Sequence, residues 1–433
     1  MRSRTGPVIL AIVVLAAAAA CDANPPDRSS APPTTQVSGH PAEHQAGHQE
    51  EHEVEAARSP TALAGQLQQY YAQHTLLAMR QMRSVLTATP AYRQAADKEL
   101  EEYTEELAQI VGAKFGDAQG ERFEQLWKQG IAHFSAYAEA VAGNDAAARQ
   151  QARSDLLADA DAYGDWLAGA SKGRAQASQA AAAMRTHVEQ LMEQADAYAA
   201  HDYDRAYRVE RQGYEHMFAA GTDLARASLA PKAAATLDTP TEKLRAAFAM
   251  LLGEHMQLII DTQRATFDAS PQFKAAAAQV NANSAALTKG MGAIAGPKKA
   301  EEFQEVWAEH VEGLLEYSTA LASNDQAEQT AAREEMRGYG ARLALYLSDI
   351  VRNELPLKPL TEAWGAHDQH LVDQVNAYAA KRYDEAQEME LDGYGQMLGL
   401  AGTILGAIQR TLQPQLPVGG SQTGGGGTAQ RRR

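Results

Sequence analysis

At 433 residues the chain admits two or three domains, and a formal charge of −16 argues against a nucleic-acid partner, which requires clustered Lys and Arg to neutralise phosphates. Ala dominates, with Glu, Gln, Leu, Arg and Met supplying much of the rest, while Val, Ile and aromatics are sparse. That palette favours helix and leaves little from which to build a sheet, so the expected class is all-α, with an acidic surface that attracts metal cations weakly.

The first twenty residues carry a basic start at Arg2 and Arg4 and an apolar run from Val8 to Ala20, too short to span a bilayer permanently. Small residues Ala18, Ala19 and Ala20 stand directly before Cys21, the one cysteine of the chain. This resembles a bacterial lipoprotein signal. The resemblance implies cleavage after residue 20, a lipid on Cys21, and residence on the outer face of a membrane in the cell envelope. More than one acyl chain is needed for stable anchoring, and a lipoprotein carries enough. Ala18 stands where such signals usually carry Leu, with Leu15 further back, so ordinary signal-peptidase cleavage remains the alternative. With Cys21 lipidated no free thiol is left, which removes disulfides, thiolate metal sites and cysteine catalysis.

Residues 21–58 read as a tether. The stretch after Cys21 is rich in Pro, Ser and Thr and holds too little apolar surface to offset the entropy of ordering. It runs into a tract with His40, His44, His48 and His52 at a strict interval of four, beside Glu43, Glu50, Glu51 and Glu53. On a helix that interval stacks imidazoles on one face, and imidazole suits zinc, copper and nickel. The competing reading is a solvated polar linker.

From Thr61 the helical pattern begins. Helices are expected near 61–88, 91–113, 118–143, 145–168, 176–201 and 204–229, with Pro90, Asp145 and Asp204 marking starts. The same order returns. HVEQLMEQADAYAAHDYDRAYRVERQGYEHM, His187 to Met217, comes back 180 positions later as HDQHLVDQVNAYAAKRYDEAQEMELDGYGQM, His367 to Met397. Phe123, Trp127 and Tyr137 recur as Phe303, Trp307 and Tyr317, and Pro90 as Pro271. His74 matches His255 at an offset of 181, so one residue is inserted in the first copy near Ala95–Leu100. The expected architecture is a tandem duplication of a roughly six-helix antiparallel bundle unit, copy one over 59–235 and copy two over 236–413, with a Gly-rich tail at 414–433.

A duplication lets polar residues be tested against their own copy. His74/His255 and His187/His367 recur on the first and fifth helices of each unit, and Met217/Met397 recur on the sixth. Bundles build cofactor sites from side chains on facing helices, and imidazoles with a thioether favour copper first and zinc next. His216 in copy one (Gln396 in copy two) and His310 in copy two (Gly130 in copy one, with His133 one turn away) have no match, so the copies should differ in ligand set. The bland alternative has each His held in a hydrogen-bond network and each Met filling the core. The Glu-x-x-His pattern of di-iron bundles is missing before His74, His187, His255, His310 and His367, and HExxH, a P-loop and a Rossmann glycine pattern are missing from the chain. A GxSxG string at 169–173 falls between helices, where no nucleophile elbow forms.

FAMLLGEHMQL, VWAEHVEGLLEY and the closing Tyr-Asp…Gly-Tyr-x-x-Met stretch resemble helical units of exported bacterial proteins, some catalogued beside an N-terminal module of copper amine oxidases. That resemblance brings no catalytic residues: the oxidase's Asn-Tyr pair and His-x-His ligands are absent. The expectation is therefore a non-enzymatic, membrane-anchored lipoprotein that binds copper or zinc. Its partners would be metal ions or an envelope protein. A structural or protein-interaction bundle without cofactor is the alternative and haem binding a third reading.

Overall fold

Residues 59–352 and 354–412 are described by a computed structural model; Cys21, the His40–His52 tract and the tail lie outside them. The described chain is helical throughout. Helix α1 spans Pro60–Leu86, α2 Pro90–Phe115, α3 Asp117–Ala142, α4 Ala146–Ala170, α5 Ala177–Ala199 and α6 Tyr203–Ser228. A short α7 (Pro231–Ala234) and a 3₁₀ turn (Ala235–Asp238) lead into the second set. There α8 spans Pro240–Phe267, α9 Phe273–Ala295, α10 Pro297–Ala322, α11 Gln326–Ile350, α12 Leu357–Ala379 and α13 Tyr383–Leu412.

Local chemistry sets the boundaries. Asp145 and Asp325 cap α4 and α11, each accepting from two backbone amides at the helix start. The last helix of the first set is capped by Asp202, whose side chain accepts from the Arg205 amide, and not by Asp204, which falls inside the first turn with Asp384 its counterpart in α13. Pro90 opens α2 as expected, but α9 begins two residues beyond Pro271, after a turn closed by the Ser270 hydroxyl on the Gln272 amide. The same left-handed turn residue recurs in both sets. Ala88 and Ala269, Asn144 and Asn324, Lys172 and Arg352, and His201 and Lys381 all have φ between 49° and 59°. Ser171 of the GxSxG string ends α4, with its hydroxyl accepting from the Ala175 amide.

Successive helices pack on one another, as short connections require, and the first helix of each set runs through the middle. Helix α1 touches α2, α3, α5 and α6, and α8 does the same with α9, α10, α12 and α13. The consequence is visible along α1, where every residue from Tyr71 to Ser84 is buried, and along α8 from Leu252 to Ala265. A helix buried on all sides must place its polar side chains against partners. These two carry histidines, arginines, glutamines and an aspartate inside.

The two sets share a core. Ala72, Leu76, Tyr214 and Phe218 of the first belong to the same apolar cluster as the second set's Trp307, Tyr394 and Met397. The matched Tyr214 and Tyr394 hydroxyls meet at 2.6 Å, and Gly253 gives them room, since a Cβ there would lie 2.5 Å from the Tyr214 oxygen. Beside this pair runs a buried ionic seam. Arg80 reaches Glu390 at 2.6 Å, Arg83 holds Asp261 at 2.8 Å as well as Glu210, and Arg264 holds Glu390 at 3.2 Å. Three guanidinium groups thus face three carboxylates. Arg83 matches Arg264 and Glu210 matches Glu390 by the repeat offset, so the seam joins equivalent pairs from both sets.

Candidate metal centre

Burial of α8 fixes the geometry of the second set. His255 lies on α8, His310 on α10 and His367 on α12, three helices in mutual contact. One ring nitrogen from each lies within 4.8 Å of the other two. Ring centroids are 5.6 Å apart for His255–His310 and His310–His367 and 6.4 Å for His255–His367. All three side chains are fully buried, and none of their six ring nitrogens has a hydrogen-bond partner among the described residues. An ordinary buried histidine donates at one nitrogen and accepts at the other, and each group left unmade costs about 1–3 kcal/mol.

An aromatic wall encloses the trio. Trp307 packs on His255 at 4.5 Å, Tyr339 stacks on His310 at 4.4 Å, and Trp364 stands edge-on to His367 at 5.8 Å. Asp368 brings a carboxylate to 3.2 Å from His310 Nδ1, close enough for an ion pair but off the line of a hydrogen bond. Burial holds this carboxyl well above the usual carboxylate range. It also pushes the imidazoles down, His255 to about 3 and His310 and His367 well below the ordinary histidine value. Three neutral imidazoles beside an acid whose ionised form lacks compensation are a donor set that a cation would complete. A metal–nitrogen bond of 2.0–2.1 Å puts ligand nitrogens about 3.3–3.6 Å apart, so each ring would move inward by less than about an ångström.

The first set builds a different site from the matched positions. His74 on α1 and His187 on α5 face one another with ring centroids 5.8 Å apart. Gly130 occupies the place of His310 on α3, and beside it lies a cavity of about 50 Å³ lined by both imidazoles, Trp127, Asp159, Met184 and other apolar side chains. The Trp127 indole N–H donates to His74 Nδ1 at 3.0 Å, a bond that the matched Trp307 and His255 do not make. His133, one turn from Gly130, is held by the Asp159 carboxylate at 2.6 Å, and that carboxylate's other oxygen accepts from Gln129.

The remaining sequence candidates are placed elsewhere. His216 is half-buried and its Nε2 meets the Ala183 carbonyl at 2.8 Å, a structural engagement. Met217 is wholly buried in an apolar cluster of the first set and Met397 in the cluster shared by both sets, and Met217 is not among the residues lining the His74–His187 cavity. Cys21 and the four tract histidines lie outside the described residues.

Comparison of the chain with protein families, curated proteins and solved structures found no match.

Sequence reasoning brought His255, His310 and His367 together but overlooked their surroundings. Trp127 and Trp307 stand 180 positions apart, but an aromatic stripe does not by itself tell which ring lies against a histidine. Asp368, adjacent to His367, has no counterpart in the first copy, where Val188 stands. The seam pairs Arg83/Arg264 and Glu210/Glu390 carry the same sequence signal as the histidines, the repeat offset.

Proposed function

We propose that the protein binds one transition-metal ion non-catalytically, copper first and zinc next, through His255, His310 and His367, and that it does so as a lipid-anchored protein outside the cytoplasm. The observation that carries the reading is the set of six buried imidazole nitrogens without a hydrogen-bond partner among the described residues, drawn from three helices, one nitrogen of each ring converging on the others. Neutral imidazole suits both metals. Charge favours copper(I): its single positive charge cancels that of ionised Asp368, whereas zinc(II) leaves one positive charge buried. Trp307, Tyr339 and Trp364 wall the site and leave it a holding site more than a reactive one. Haem fits the geometry less well. The cavity of about 50 Å³ beside His74 and His187 is a third of the roughly 150 Å³ that admits benzene, far too small for a porphyrin.

The anchoring part of the proposal rests on the signal-like residues 1–20 and Cys21. No described helix is long and apolar enough to cross a membrane. The test is equilibrium dialysis of the untagged full chain, with His40, His44, His48 and His52 changed to Asn so that the tract adds no ions. The proposal expects one retained copper or zinc per chain and its loss in His310→Gly. Failure of the intact trio to retain either ion refutes it. Incorporation of labelled fatty acid, abolished by Cys21→Ser, tests the anchor separately.

A further inference from the structure

We infer that the cavity beside Gly130 is a binding site for a small uncharged molecule bearing a hydrogen-bond acceptor, and that the His74–His187 pair is not an ion site. The Trp127 indole N–H donates to His74 Nδ1 at 3.0 Å, and a nitrogen that accepts a hydrogen bond carries no proton. Burial keeps His74 neutral, so its single proton sits on Nε2. A metal bound at Nε2 would need that proton moved to Nδ1, where it would face the indole donor head-on. The ring can therefore donate to a ligand but not ligate a cation while Trp127 holds it.

Other lining groups agree with a neutral guest. The Asp159 carboxylate, the one acid in the lining, is engaged at both oxygens by Gln129 and His133. His187 is 2 % exposed and lines the same cavity, so a second imidazole ring stands in its wall. The rest of the wall is apolar or aromatic. At about 50 Å³ the space is a third of the roughly 150 Å³ that admits benzene and several times the ~10–15 Å³ a water needs, which sets the guest at about two or three heavy atoms. The space exists because position 130 is glycine: a Cβ built there meets nothing within 4 Å. In the second set the matched position is His310, whose ring packs against Tyr339 and the other two histidines.

The contrast in ion binding rests on the second-set reading, but the ligand claim does not. The test is a titration of the full chain, labelled with ¹⁵N at His and at Trp indoles, with acetonitrile, whose nitrile nitrogen is an acceptor on a three-atom rod. Saturable shifts are expected at His74 Nε2 and the Trp127 indole, with Trp307 and Trp364 unmoved. Filling the space with Gly130→Leu should weaken binding by at least about tenfold, and the smaller Gly130→Ala by less. The His74 ring should show its proton on Nε2 throughout, and copper or zinc should perturb His255 and leave His74 unchanged. Linear shifts, equal shifts in both sets, or saturable binding that survives Gly130→Leu would overturn the ligand claim. A His74 proton on Nδ1, or ion-induced change at His74, would overturn the tautomer argument. Absence of any ion effect at His255 defeats the proposed function alone.

Discussion

Asp368→Val converts one corner of the second site into the first set's version, because Val188 holds the matched position. The two side chains are close in size, so the substitution removes charge with little loss of packing. Asp368 is buried at 6 % exposure and neither carboxylate oxygen has a hydrogen-bond partner among the described residues. Deleting an unsatisfied buried group of this kind should stabilise the metal-free protein by about 1–3 kcal/mol. The same deletion should weaken copper or zinc binding by about 10–100-fold, the usual effect of losing a carboxylate behind a ligating histidine. Opposite signs are the signature of a group that balances an ion. Urea unfolding of metal-free protein and competition with a chromophoric chelator measure the two effects. A variant less stable without metal, or one with unchanged affinity, refutes the assignment of Asp368 as the ion's counter-charge.

The ionic seam should behave as a unit: Arg83→Met or Glu210→Leu alone leaves a buried charge unpaired and costs about 3–5 kcal/mol, while the double variant, which keeps the charge balance, costs less than the sum in a double-mutant cycle of urea midpoints. Additive costs would contradict this. Acid should weaken the metal-free fold through its buried histidines. His74 and His255 are held at about 3 against an ordinary 6.5, so the unfolded chain binds more protons between those values. Stability is therefore fully present above pH 6.5 and is lost as pH falls toward 3. The urea midpoint of His74→Gln, which has no ring to protonate, should fall less steeply with acidification than that of the parent. Among the glycines, Gly130→Ala should raise stability by about 0.5–1 kcal/mol, because the new methyl meets nothing and glycine is a poor helix former. Gly164→Ala should lower the urea midpoint instead, since its Cβ would lie 2.5 Å from the Ala177 carbonyl.

Most of the helical plan was legible because alternation of apolar faces with caps and prolines is local information. Asp145 and Asp325 cap where the sequence places them, and the helix ends fall within a few residues of the periodicity. Asp202 displaced Asp204 because a cap has to precede the first helical residue, and only the turn through His201 shows which aspartate does. The convergence of His255, His310 and His367 was half legible. The repeat offset marked two of them, but whether rings on α8, α10 and α12 face inward depends on the first helix of the set occupying the centre. That arrangement is a property of six-helix packing, which apolar periodicity does not order. The seam was hidden for the same reason: Arg80, Arg83 and Asp261 look like solvated faces until the helices carrying them are enclosed on every side.

The most direct measurement is X-ray absorption on the full chain with the four tract histidines changed to Asn, loaded with copper and dialysed, alongside His255→Gln, His310→Gln, His367→Gln, His74→Gln and His187→Gln. The account predicts one ion with an all-nitrogen imidazole shell near 2.0 Å, lost in each of the first three variants and kept in the last two. An ion retained when the trio is broken, or lost with His74 or His187, would contradict it.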